Sequence, residues 1–185
     1  YPVAPGLLAL PVYLVTALSG AAITEEALHG LSKLSGSLIT ALAAVALRRA
    51  LKGRCSADFA LALSFLYGLG TWAFSVSSQA LWQHGPAALG VALALWGFNE
   101  KGLRFDALAG FGLGLAVAAR PDSVFFLAAG AAYVLIYDRK RLPGFALGAA
   151  LPLGLLAAYW LIYTGRLRPP ESTFQANIFR GFQPV

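Results

Sequence analysis

The sequence predicts an all-α fold: a polytopic transmembrane helical bundle of about six spanning helices plus one short re-entrant or interfacial N-terminal segment. Three observations carry that expectation. Of the 185 residues, 58% are hydrophobic and 12% charged, about half the roughly 25% charged share of a soluble domain. The mean hydropathy is +0.69, which leaves too little polar surface to cover a water-soluble globule; a very apolar soluble helical protein is the weaker alternative. The basic residues come in short clusters between apolar runs, as loop charges do under the positive-inside rule. That placement also argues against nucleic acid as a partner, although the formal net charge is +6.

A spanning helix needs roughly 20 apolar residues, and backbone groups in lipid must be satisfied internally. Seven apolar segments meet the first condition to different degrees. The first, "PGLLALPVYLVTALSGAA", is short and is expected to be broken by Pro11. The second covers about 34–51 and ends on "RRALKGR"; the third covers about 57–75. The fourth, "PAALGVALALWGF", starts at Pro86, a residue suited to a helix's first turn. The fifth, about 105–119, ends at "ARPD", and the sixth, about 122–137, ends on "DRKR". The seventh covers about 143–163 and is followed by a polar tail. Residues 1–165 thus form a transmembrane domain, and 166–185 an extracytoplasmic tail or the start of a further loop.

The clusters Arg48, Arg49, Lys52 and Arg54, then Lys101 and Arg104, then Arg139, Lys140 and Arg141 fall in every second loop if segments two to seven each cross once. This pattern predicts that all three are cytoplasmic. The expected location is the plasma membrane, the inner one in a bacterium, and the lipid bilayer is the first expected partner. The first segment does not fit the alternation, so it is expected to lie against the bundle on the outer side. Glycine and alanine crowd segments five to seven, as in "GFGLGLAVAA" and "GFALGAALPLG", and predict close helix packing. "GFGLG" lies inside an apolar helix and not after a strand, so it is no nucleotide loop.

The opposite face then collects the polar side chains. The stretch "SVSSQALWQHGPAAL" contributes Ser75, Ser77, Ser78, Gln79, Trp82, Gln83 and His84. The junction of segments five and six contributes Arg120 and Asp122. The loop before segment two contributes Glu25, Glu26 and His29, and the tail contributes Arg166, Arg168, Glu171, Asn177 and Arg180. Arg120 stands out because Pro121 opens the next helix, whose N-terminus offers free N–H groups and a positive dipole end. An arginine there suits a phosphate or carboxylate, or it snorkels to headgroups or pairs with Asp122. His84 suits a general base, a metal ligand or a phosphate donor, or an interfacial histidine beside Trp82. No cofactor is assigned. A divalent metal stays open on two histidines and two adjacent glutamates, which lie in different loops without ligand spacing.

The chain holds one cysteine, Cys55, so no intramolecular disulfide forms within it. No Ser-His-Asp order, CxxC or HExxH pattern occurs. The segment interiors carry few ionisable groups, which weakens a pump or coupled-transporter reading. The chain begins at Tyr1 without a basic n-region and has no methionine, and is expected to be a fragment or trimmed piece without a signal peptide.

Three motifs in order resemble the polytopic GT-C glycosyltransferases, relatives of the protein mannosyltransferases and of the lipopolysaccharide aminoarabinose and galacturonic acid transferases. "YPVAPGLLALPVYL" resembles their "YPxGxxLLAxPxY". "YGLGTWAFSVSSQALWQHGPAALGVALALW" resembles their "GTxxWxYSxxxWxHxP", and "GFGLGLAVAARPDSVFFLAAG" their "GxxxGLAxxxRPxxxxx". The resemblance covers most of the chain from Tyr1 to about Gly165. It implies an enzyme that transfers a sugar from a polyprenyl-phosphate donor to a lipid, glycan or protein on the outer face. It also implies a catalytic aspartate in an outer loop just before the "YP" stretch, and so upstream of Tyr1. The catalytic residue is therefore unknown here, and the chain alone is expected to be inactive. Arg120, His84, Asp122, Gln83 and Ser78 are the candidate substrate-binding residues, with Arg120 expected on the lipid phosphate. The alternatives are a lipid-linked glycan flippase or permease, and a structural membrane subunit.

Overall fold

The computed structural model describes residues 3–20 and 24–167, and these are helical nearly throughout. The α-helices are α1 (Val3–Leu18), α2 (Glu25–Leu51), α3 (Ala57–Gly70), α4 (His84–Asn99), α5 (Leu103–Ala119), α6 (Val124–Tyr137) and α7 (Leu142–Thr164). A π-helical turn, Ala73–Ser77, follows α3, and 3-10 turns Pro121–Ser123 and Arg139–Arg141 precede α6 and α7. The fold is all-α. Two stretches, Glu25–Leu51 and Arg139–Thr164, are long and apolar enough to cross a membrane; Val3–Leu18, Ala57–Gly70 and Pro121–Tyr137 are shorter apolar helices. The tail residues Arg168, Glu171, Asn177 and Arg180, and Tyr1 of the first motif, lie outside the described residues.

Three boundaries differ from the sequence expectation. α2 begins at Glu25 and not near residue 34, so Glu25, Glu26 and His29 are helical and not in a loop. The cause is local: the Thr24 side chain accepts from Ala27 N at 3.2 Å, and two glutamates in the first turn complement the helix dipole. α1 runs unbroken through Pro11; a proline removes one ladder hydrogen bond but does not have to end a helix. α3 stops at Gly70, with Thr71 extended, and not near Ser75.

The helices stand in a row, α3–α2–α4–α5–α7, with α6 on α5, and α1 resting on α2, α5 and α7. α4 and α5 run antiparallel at a spacing that only glycine permits. A Cβ on Gly90 would lie 2.8 Å from Ala116 N, and one on Gly112 would lie 2.8 Å from Ala94 N. On its other side, Gly114 of α5 takes Pro152 of α7. Residues Gly112 to Ala119 of α5 are accordingly all buried. Alanine dominates the buried core, while large apolar groups such as Phe125 (77% exposed), Ile136 (73%) and Ile162 (79%) point outward. That inverts the arrangement of a water-soluble domain, where the large groups fill the interior.

The same packing brings the three basic clusters to one end. Arg54 Nη2 donates to Asn99 Oδ1 at 2.6 Å, and Asn99 in turn donates to the Ala50 carbonyl, joining the ends of α2 and α4. Arg141 reaches across from the start of α7. Its guanidinium pairs with Asp106 at 2.5 Å and donates to the carbonyls of Gly97 (2.8 Å), Phe98 (3.1 Å) and Glu100 (3.1 Å). It thereby caps the C-terminus of α4, where carbonyls lack intrahelical partners.

Candidate functional site

At the opposite end, the antiparallel packing sets the first residue of α4 beside the last turn of α5. His84 opens α4. Arg120 is the C-cap of α5, its backbone N–H bonded to Ala116 O at 2.8 Å. The turn at Pro121–Ser123 then folds Asp122 back onto Arg120. Arg120 Nε donates to Asp122 Oδ1 at 3.1 Å and Nη2 to Oδ2 at 2.5 Å, a bidentate pair. Nη1 lies 2.6 Å from His84 Nδ1. Arginine has only donors, so Nδ1 accepts and the imidazole proton sits on Nε2. Trp72 meets the imidazole edge-on, ring centroids 5.9 Å apart.

These groups form the polar end of a cavity of about 380 Å³. His84, Arg120, Asp122 and Ser123 line that end; Leu47, Ala88, Val91, Leu95 and Phe126 line the remainder, with Trp72 and Tyr67 at the side. From His84 to Leu95 the cavity follows α4 for about 16 Å at 1.5 Å per residue. The result is a charged head above an apolar slot. Three of the five N–H groups of Arg120 are engaged by Asp122 and His84. One N–H on each of Nη1 and Nη2, together with His84 Nε2–H, makes no hydrogen bond among the described residues. Asp122 fixes the guanidinium plane and balances its charge, and the two guanidinium N–H groups that remain suit an anionic oxygen group.

Gln83 and Ser78 do not line this cavity. Gln83 precedes α4 without a side-chain cap bond. The Ser78 hydroxyl donates to the Phe74 carbonyl at 2.6 Å and accepts from Gln79 Nε2 at 3.0 Å. Its carbonyl accepts from Ser37 at 2.9 Å, so Ser78 ties the π-helical turn to α2 and borders a separate cleft with Ser37, Thr40 and Ser64. Leu81 N donates to Ser32 Oγ at 3.0 Å, a second tie to α2. Within the 75–83 stretch the Ser78 and Gln79 side chains thus satisfy the Phe74 carbonyl, while the buried Ser77 Oγ makes no hydrogen bond among the described residues. Glu25, Glu26 and His29 belong to the start of α2 and line neither space. Among the described residues no three His, Cys, Asp or Glu side chains converge as metal ligands, so the open question of a divalent metal finds no donor set there.

Sequence reasoning did not single out Trp72, Tyr67, Ser123 or Phe126. Trp72 carried a usable signal, since it follows a Gly-Thr pair where an apolar helix must bend. Phe126 carried none, being one apolar residue in an apolar run. No protein-family model matches this chain, and no curated protein or solved structure matches it.

Proposed function

We propose that this chain is the membrane-embedded part of a glycosyltransferase resembling the GT-C type. In this reading α2 to α7 cross the bilayer and the three basic clusters face the cytoplasm. The donor is a polyprenyl-phosphate-linked sugar, and transfer to a lipid, glycan or protein occurs on the other face. The observation that carries the reading is the 2.6 Å contact of Arg120 with His84 at the charged end of an otherwise apolar cavity. An isoprenoid phosphate has the same division, an anionic head on a long apolar chain. The outward-facing large apolar groups and the gathering of basic clusters at one end support the membrane setting. α3 to α6 hold 14 to 17 residues, so their flanking turns make up the rest of the roughly 30 Å hydrocarbon thickness.

The chemistry assigned to these residues is binding and charge stabilisation. As the bond from the sugar's anomeric carbon to phosphate oxygen breaks, negative charge grows on the leaving phosphate. In this reading the free Arg120 N–H groups stabilise it, with His84 orienting the guanidinium through Nδ1, a contribution that rises toward the transition state. Inverting transfer also needs a carboxylate to activate the acceptor. Asp122 is held by Arg120 and is not assigned that role; the resemblance puts it in a loop before the "YP" stretch.

The test is equilibrium binding of a long-chain polyprenyl phosphate to the intact protein in nanodiscs. Arg120→Ala is expected to weaken binding about 10- to 100-fold, the worth of a hydrogen bond to a charged group. Arg166→Ala, exposed beyond α7, is expected to leave it unchanged. Equal affinity of wild type and Arg120→Ala removes this cavity as the donor site. Sugar transfer by the full-length protein tests the enzymatic half, and tight binding without transfer from any polyprenyl-phosphate sugar would point to a carrier.

A further inference from the structure

A second polar cavity, of about 400 Å³, lies at the turn joining α2 to α3. Arg48, Arg49 and Lys52 line it with the backbone of Gly53, the Cys55 thiol and the first residue of α3, Ala57. Its lining contains three cations and no carboxylate. Among the described residues none of the three cations makes a salt bridge or a side-chain hydrogen bond. The turn itself sorts the charges. Gly53 takes φ +79°, a conformation glycine adopts without strain, and the chain reverses so that Lys52 and Cys55 bridge. Arg54 is thereby turned away to Asn99, while Arg49 rests 6.0 Å from the Trp96 ring centroid and is preordered by it.

Basic residues in the last turn of α2 complement its dipole, but that role needs no concavity. We infer that this cavity is a binding site for a phosphate anion, gripped by Arg48, Arg49 and Lys52 at the α2–α3 turn. The phosphate is that of an anionic phospholipid headgroup or a free phosphate from solution. The site stands at the other end of the bundle from the Arg120 cavity and does not depend on the donor assigned there.

Cys55, the single cysteine of the chain, lies in the cavity and reports occupancy through its rate of alkylation by a neutral thiol reagent. The intact protein is compared in nanodiscs of phosphatidylcholine, in the same discs with inorganic phosphate, and in discs containing phosphatidylglycerol. The control is Arg139→Gln with Lys140→Gln, which removes charge from the same end of the bundle but outside the cavity. Protection of Cys55 by phosphatidylglycerol, weakened about fivefold for each of Arg48→Gln, Arg49→Gln and Lys52→Gln but not by the control, supports the site with a lipid as its source. Protection by inorganic phosphate in phosphatidylcholine, with the same dependence on the three cations, supports it with a soluble source. Absence of protection in both arms, or protection lost equally in the control, overturns it. Native mass spectrometry of wild type and Arg49→Gln gives a second readout, since one retained anion is expected only in wild type.

Discussion

Arg141 and Arg120 each face an aspartate, and they sit at opposite ends of α5. Arg141 reaches an aspartate 35 residues away, and the pair is nearly closed off, with 13% and 10% of the two side chains exposed. Three of its other four donors go to carbonyls at the end of α4. Arg120 pairs with an aspartate two residues away, and 31% and 59% of those side chains are exposed. Arg120 also lines a cavity. The same two residue types thus serve different purposes. One arginine has four of its five N–H groups engaged by protein and locks helix ends together, and the other has three of five engaged and lines a cavity.

The largest expected break in this comparison comes from Arg141→Ala. It leaves Asp106 buried without a partner and is expected to cost about 3–5 kcal/mol in unfolding experiments on the purified protein. Next is Gly112→Val, which pushes a side chain into the α4 backbone. A loss of about 1–3 kcal/mol is expected, along with weaker polyprenyl-phosphate binding, because the α4–α5 seam sets the distance from His84 to Arg120. Unchanged binding in a destabilised Gly112→Val would show that the cavity end is independent of the seam. Arg120→Lys sharpens the contrast. Stability should move by less than about 1 kcal/mol, while polyprenyl-phosphate affinity falls about tenfold because an ammonium cannot reproduce the fork. The smallest effect is expected from Asp122→Asn, within about 0.5 kcal/mol of wild-type stability by thermal unfolding. A larger loss would mean that the exposed pair is structural after all.

Much of this architecture is written in the sequence, and the exceptions have physical causes. Seven apolar runs correspond to α1 to α7, because apolar length and flanking basic residues are what hydropathy reads. The first nine residues of α2 were missed because Glu25, Glu26, His29 and Lys33 are polar; their helix rests on the Thr24 cap and on propensity, not on burial. The break after Gly70 was missed because Trp72, Ala73 and Phe74 continue the apolar run that hydropathy reads, although Thr71 is extended. Arg120, His84 and Asp122 were legible as a group because motif order and helix alternation put them on one face. The structure adds their contact and its direction. Arg141 was read as one more loop charge, since its partners are largely main-chain carbonyls more than forty positions earlier, and no residue type announces a carbonyl's availability.

The Asp106–Arg141 lock also has a consequence for how the chain is made. Asp106 leaves the ribosome 35 residues ahead of its arginine, an interval of about 2–7 s at 5–20 residues per second. Throughout that time the start of α5 carries an uncompensated carboxylate, and the last turn of α4 lacks its cap. The Asp106–Arg141 pair and the Arg141 cap on α4 can therefore form only after the first residues of α7 have been made.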